Sequence, residues 1–421
     1  MTDVRAPSFD AKASPSDQSL RALDAVNFFV AGALAGFGPF VAVFLGDQGW
    51  SQESIGFVLS AGGLAGLLAQ VPGGELLDVV QSKRAMIALG SLIVGLGALI
   101  IAVWPAFAPV SVALALEGVT GGFLGPAIAS ISLGLVGHDQ LGERLGRNQR
   151  FKSIGSLAAA GLLGVIGYFL SNRVMFFTTA VLVAPVLVAL VRIRASEIHF
   201  GRSVGAPDHH HAARPPRIRR RAFWKNRYLL VFAGCLCLFQ MVDASMLPLI
   251  GGTLARSEGS ASALIMSGLV VVPQILVALM APWAGRQAKS WGRRPLLLLG
   301  FGVLPIRALL FTVIADPMVL VAVQVLDGIS GTVLGVLQAL IIADLTNGTG
   351  RFNLAQGLVG VVSGIGASVS TTLSGLIAGS FGRTAVFLAM AVVGLAAVAV
   401  VWLFMPETKP PMPHAGSATR R

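Results

Sequence analysis

Four ionisable residues sit in stretches that are otherwise apolar: Glu117 in "LEGVTGGFLG", Asp327 in "LDGISGTVLG", Asp243 in "LFQMVDASMLPL" and Arg307 in "LPIRALLF". A carboxylate in such surroundings can carry a proton, hold a cationic group or pair with a buried base. At bilayer depth a charge costs several kcal/mol on insertion scales, so each of the four is a functional candidate that needs a partner. Glu117 and Asp327 lie 210 positions apart in a chain of 421 residues, in runs that share Leu, Gly, Gly, Leu and Gly.

The elements that position these groups follow from composition. Hydrophobic residues make up 55% of the chain, charged ones only 12%, and the mean hydropathy is +0.79. Soluble domains usually carry about 25% charged residues, so the chain reads as a membrane protein. Twelve apolar runs reach the roughly twenty residues a helix needs to cross a bilayer. They cover 22–45, 54–78, 84–104, 108–136, 152–171, 174–191, 228–251, 262–284, 294–315, 318–342, 356–379 and 384–405. Alternating ten-residue strands, the mark of a membrane barrel, are absent from this pattern. The segment up to Asp17 has no apolar core and is expected to be a tail, with the first span retained as a helix.

Lysine and arginine alternate between loops. One set holds Lys83 and Arg84; Arg144, Arg147, Arg150 and Lys152; Arg192 through Arg227; and Arg286, Lys289, Arg293 and Arg294. The other set holds little beyond Arg173, Arg256 and Arg383. This bias, more than the net charge of +12, orients the chain: both termini and the central loop are expected to be cytoplasmic, in a bacterial inner membrane. A nucleic-acid partner is not expected. The implied units are a tail over 1–21, a six-helix half over 22–193, a basic linker over 194–227, a second half over 228–405 and a tail over 406–421. Cys235 and Cys237 read as small packing groups. His209, His210 and His211 lack the acid or thiol cluster a metal would require, so no metal or cofactor is expected.

The halves repeat. A shift of 210 also lays "KRAMIALG" at Lys83 on "RRPLLLLG" at Arg293, the pattern of parallel repeats in secondary transporters. "GELLDVVQSKR" carries Gly74, Asp78, Lys83 and Arg84, and "GRQAKSWGRR" carries Gly285, Gly292, Arg293 and Arg294. These loops resemble the signature Gly-x-Leu-Ala-Asp-Arg-x-Gly-Arg-Arg/Lys of the major facilitator superfamily. The first departs at Val79 and Gln81, and the second has Lys289 in place of the acid. The resemblance implies an all-α membrane protein of twelve transmembrane helices, in two pseudo-symmetric six-helix bundles around a central cavity lined by the first, fourth, seventh and tenth helices. It also implies that Asp78 bridges the halves in the outward-facing state. The fourth-span signature of drug:proton antiporters would put Glu117 where that family has Arg, Thr120 at its Gln and Gly121 at its Gly, which inverts the charge.

Within that frame Glu117 and Asp327 stand about ten residues into their spans and face each other across the cavity. Arg307 reaches a similar depth to Asp327 and can pair with it, whereas the corresponding position in the first half is Gly97. Glu117 is therefore the expected proton carrier, with Arg307 and Asp327 as a structural or gating pair. Asp243, one turn after Gln240, is either a second proton site or a binding group for a cationic substrate. Each acid has the alternative of a buried helix-to-helix hydrogen bond. Asn27, Phe37, Thr120, Gln240, Ser245, Gln324, Ser330 and Gln338 complete the candidate cavity. No nucleotide loop or catalytic constellation is present. The expected function is secondary active transport of a small molecule by alternating access, with proton-coupled efflux of an apolar or amphiphilic compound by a monomer. Proton-coupled uptake and a transport-inactive sensor are the alternatives. The scarcity of cavity cations other than Arg307 argues against multiply anionic substrates.

Overall fold

A computed structural model describes residues 15–37, 39–206, 226–250, 262–314 and 316–409. Among the described residues the secondary structure is helical, with no strand. The first half contains α1 (Asp17–Ala35), α2 (Pro39–Asp47), α3 (Gln52–Val79), α4 (Lys83–Val103), α5 (Phe107–Phe169), α6 (Asn172–Val181) and α7 (Val183–Arg192). A short α8 (Phe200–Ser203) lies in the linker. The second half contains α9 (Arg227–Asp243), α10 (Ser262–Ser290), α11 (Arg293–Val313), α12 (Pro317–Thr346) and α13 (Phe352–Phe404).

Ten described segments are long and apolar enough to cross a membrane. Two of them cannot be single crossings. At about 1.5 Å per residue the 63 residues of α5 would span roughly 95 Å, against a hydrocarbon core of about 30 Å. Gly137 breaks α5 at φ 68° and ψ −179°, and Gly382 breaks α13 at φ 82° and ψ 171°. Both lie in the left-handed half of backbone space, where glycine is accommodated without strain and the chain can reverse. Each segment is thus two spans, and the described residues form twelve. Within the sixth span, helix stops at Leu182 before restarting. Pro185 follows three residues on, and its ring opposes the carbonyl four residues earlier.

The boundary after Gly137 differs from the sequence expectation. The fifth span begins near Gly137 and not at 152, because the basic run from Arg144 to Lys152 is helical throughout. Gly142 and Gly146, one helical turn apart, explain why this charged segment packs at all. Gly285 and Ala281 of α10 come so close that a methyl group on Gly146 would collide with the Ala281 carbonyl. Small residues at this spacing let two backbones meet.

The two bundles have separate hydrophobic cores, one built mainly from Leu23, Val41, Ile87, Ile131 and Phe176, the other from Phe232, Phe301, Leu337, Ile341 and Phe387. On α4, Gly90, Val94, Ala98 and Ile101 are buried, while Leu89, Leu92, Leu96 and Leu99 face outward. That apolar outer stripe suits lipid, where Leu gains nothing by burial, and small residues make the helix contacts. Asp24 fastens α1 to the second arm of α5 through Arg144 and through Arg147, whose Nη2 lies 2.6 Å from Asp24 Oδ2. In the second half Arg293 Nε donates to Asp344 Oδ2 at 2.9 Å, tying α11 to α12. His209 to His211, Arg219 and Arg256 lie outside the described residues.

Candidate functional site: a central cavity and its closed end

The end of the molecule that carries Lys83, Arg84, Arg293 and Arg294, here the basic end, is sealed between the halves. Asp78, at the last turn of α3, is 1% exposed. Its Oδ1 accepts from the backbone N and from Nδ2 of Asn353, each at 3.0 Å, and its Oδ2 accepts from Leu354 N at 3.0 Å. The two backbone donors, Asn353 N and Leu354 N, lie in the first turn of α13, so Asp78 caps a helix of the opposite half, where the helix dipole favours an anion. Gly74, one turn earlier, admits the Asn353 backbone; any side chain there would meet it. Ser130 Oγ donates to Ser203 O at 2.7 Å and accepts from Asn353 Nδ2 at 3.3 Å. The linker joins the same contact, since Gly350 N donates to Gly205 O at 3.1 Å and Phe352 N to Val204 O at 3.2 Å.

Most of the other loop residues hold each half together. Lys83 Nζ donates to the Leu77 carbonyl and, at 2.6 Å, to that of Val80, and it lies 4.8 Å from the Phe200 ring centre. Arg84 donates to Ile193 O. Gly292, at φ 98°, introduces α11, whose Arg293 and Arg294 backbone N–H groups donate to Glu407 at 2.8 and 3.1 Å. Gly285 faces Gly142 across the halves.

Beyond this seal lies a cavity of about 410 Å³, polar along Asn27, Gln70, Gln149, Lys152, Gln338 and Gln356, and apolar along Val30, Leu124, Ile128 and Leu334. Gly121 and Gly125 line it with no side chain of their own. A second chamber of about 290 Å³ shares Leu334, Gly335 and Gln338 with it and is lined by Gln240, Asp243 and Asp327. Arg307, 2% exposed, lies behind these two acids. It donates through Nη1 to Asp327 Oδ1, through Nη2 to Asp243 Oδ1 at 2.8 Å and through Nε to Met246 Sδ at 3.1 Å. One guanidinium therefore faces two carboxylates, which the sequence expectation of a simple Arg307–Asp327 pair had not included. Glu117 stands ten residues into α5, one turn before Gly121, on the helix face whose next turns line the cavity. It has no ion-pair or hydrogen-bond partner among the described residues.

The smaller candidates divide. Asn27, Gln240 and Gln338 line the chambers, and Asn27 Nδ2 also donates to Leu23 O at 2.8 Å. Thr120 does not: it is fully buried against Gly90 of α4 and returns its hydroxyl to Leu116 O at 2.7 Å. Ser330, 1% exposed, donates to Gly300 O at 2.9 Å between α11 and α12. Ser245 meets Ser370 at 2.7 Å and Ser374 at 2.8 Å, within the second half. Gln324 and Phe37 are buried outside both chambers. For Thr120, Ser330 and Gln324, helical periodicity turns the side chain into the bundle wall and not toward its centre; Phe37 and Ser245 lie in a bend and a turn just past helix ends and are buried there.

Lys152, expected in a basic loop, lies within a helix. It follows Gly137 by 15 residues and precedes Phe169 by 17, which places it half-way along the second arm of α5, with its side chain in the cavity. The cavity thus holds a cation of its own, Lys152, contrary to the expectation that it would have few beyond Arg307. The signal was available: Gly142 and Gly146 mark a packed helix face, and Asn148 and Lys152, four apart, share another.

Comparison with known proteins agrees with this architecture. The family model described as Major Facilitator Superfamily matches residues 23–272 and 243–420. An uncharacterised MFS-type transporter of Mycobacterium tuberculosis, in strains CDC 1551 and H37Rv, is 35% identical over 395 residues, covering 92% of this chain and 93% of that one. Among solved structures, the proton:xylose symporter XylE bound to 6-bromo-6-deoxy-D-glucose superposes with a TM-score of 0.71 at 15% identity, over 93% of this chain and 97% of that one. The human organic anion transporter MFSD10 (TETRAN) gives 0.68 at 13%, over 91% and 99%. At such identities the two structures speak for the fold alone. The family is one of transporters and not of enzymes. With its two six-helix halves and a family match over nearly its whole length, this multi-pass membrane protein belongs to the major facilitator superfamily.

Proposed function

We propose that the protein is a proton-coupled exporter of a small amphiphilic molecule, working by alternating access. The observation that carries the reading is the pairing at mid-depth: among the described residues Asp243 and Asp327 share the single guanidinium of Arg307, and Glu117 has no partner. A carboxylate without a counter-charge is expensive away from water, and taking up a proton makes it neutral. Glu117 is the assigned coupling group. Arg307 balances one of Asp243 and Asp327, so the other is free to share a second proton with the cavity, while the pair braces α9 against α11 and α12.

Under the positive-inside rule the basic end faces the cytoplasm, with both termini. The sealed end is then cytoplasmic and the state is outward-facing. Asp78 holds that state by capping α13, and release of the cap allows the halves to rock. The apolar wall around Leu124, Ile128 and Leu334 suits an amphiphile. One chain encloses a whole cavity, so a monomer suffices. Proteoliposome flux under an imposed pH gradient tests the reading. Gradient-driven movement of a compound from a broad panel, opposite in direction to the protons, supports export; co-directional movement would make it a symporter, and no flux at all would favour a sensor.

A further inference from the structure

Lys152 is an ammonium group at mid-membrane with no ion-pair or hydrogen-bond partner among the described residues. The residues that line its chamber include no carboxylate; they are amides, glycines and apolar side chains. Ionisable groups at this depth ordinarily pair with one another or line a water-filled path to a ligand. A second orphan points the same way. Gln356 lines the same chamber, and its Nε2 is buried with no hydrogen-bond partner. Gln149 and Gln338 add further amide donors to the same chamber. An unpaired cation and an unpaired N–H donor in one chamber, which also has an apolar wall at Leu124, Ile128 and Leu334, are complementary to one negative group on an apolar body. Gln70 Oε1, also buried and unpartnered, offers an acceptor for a hydroxyl or N–H on the same molecule.

We infer that Lys152 and Gln356 form an anion site, and that the molecule carried is an amphiphilic monocarboxylate whose carboxylate rests on the Lys152 ammonium. This rests on the transport reading above and names its substrate class. It also divides the cavity by charge. The anionic end of the substrate lies on the first half at Lys152, and the acids Asp243 and Asp327 stand in the adjoining chamber, where a second negative group would be repelled. A single charge is therefore favoured over several.

The test is ligand-dependent thermal stability of the purified full-length protein in detergent. The probes are phenylacetate, phenylbutyrate, naphthylacetate and octanoate, each beside its amide and its amine. At saturating concentration at least one carboxylate should raise Tm by roughly 2 °C or more, with matched amides and amines giving less. Lys152→Gln should weaken that carboxylate by about tenfold or more, and Lys152→Arg should keep it within about threefold. Gln356→Leu leaves the ammonium in place and should also weaken it, which keeps the test open if Lys152→Gln fails to fold. The site is overturned if no carboxylate stabilises the wild type, if amides or amines do so equally, or if affinity is unchanged in these variants. Binding is read without a pH gradient. Lys152-dependent binding with no proton-linked flux would therefore sink the coupling reading alone, and proton-linked flux of neutral or cationic compounds only would sink the anion site alone.

Discussion

Asp243 and Asp327, on different helices of the second half, accept from the same guanidinium: Arg307 reaches Asp243 Oδ1 at 2.8 Å through Nη2 and Asp327 through Nη1. Two negative charges on one buried positive charge make the cluster electrostatically asymmetric, so its members cannot be removed independently.

Arg307→Ala should be the most damaging single change, costing about 3–5 kcal/mol, because it leaves two carboxylates without their cation. Arg307→Ala combined with Asp327→Ala should cost less than the sum of the two single changes, with a coupling of about 0.5–3 kcal/mol. Thermal unfolding of the four proteins measures it. Strict additivity would mean that the groups do not interact.

Asp78→Ala removes the cap from α13, worth about 1 kcal/mol in comparable caps, and should move the population away from the sealed state. Spin labels at Gln81→Cys and Lys289→Cys, with Cys235 and Cys237 replaced by Ala, report the separation of the halves at the basic end. A larger long-distance fraction is expected in Asp78→Ala. An unchanged distribution would show that the cap does not hold the seal.

Gly146→Leu should prevent closure at the basic end, since even a methyl group there meets the Ala281 carbonyl. The expected outcome is a protein that folds, shows only the long label distance and loses at least about tenfold in flux, because a carrier confined to one state cannot cycle. Normal flux in that variant would place the moving contact elsewhere.

Much of the scaffold was legible because bilayer thickness imposes a length on each apolar run, and the repeat of Glu117 in Asp327 exposed the two halves. What was missed has a physical cause. Run-length reasoning treats charge as an end of a span, so Arg144, Arg147 and Arg150 hid the first half of the fifth helix and took Lys152 with it. Local sequence also says little about which polar residues face the centre. Gln338 and Ser330 share a helix eight positions apart, yet Gln338 lines the cavity while Ser330 bonds to Gly300 O. Asp78 was marked by its loop motif, but its partner Asn353 lies 275 positions away and carried no signal of its own. The third member of the Arg307 cluster was likewise visible as a residue, Asp243, and invisible as a contact.

Glu117→Gln bears most directly on the account. In proteoliposomes holding the compound that the wild type moves fastest, the variant should keep downhill exchange and lose accumulation driven by a pH gradient. Accumulation in Glu117→Gln undiminished from the wild type would contradict the assignment of the coupling proton to that carboxyl.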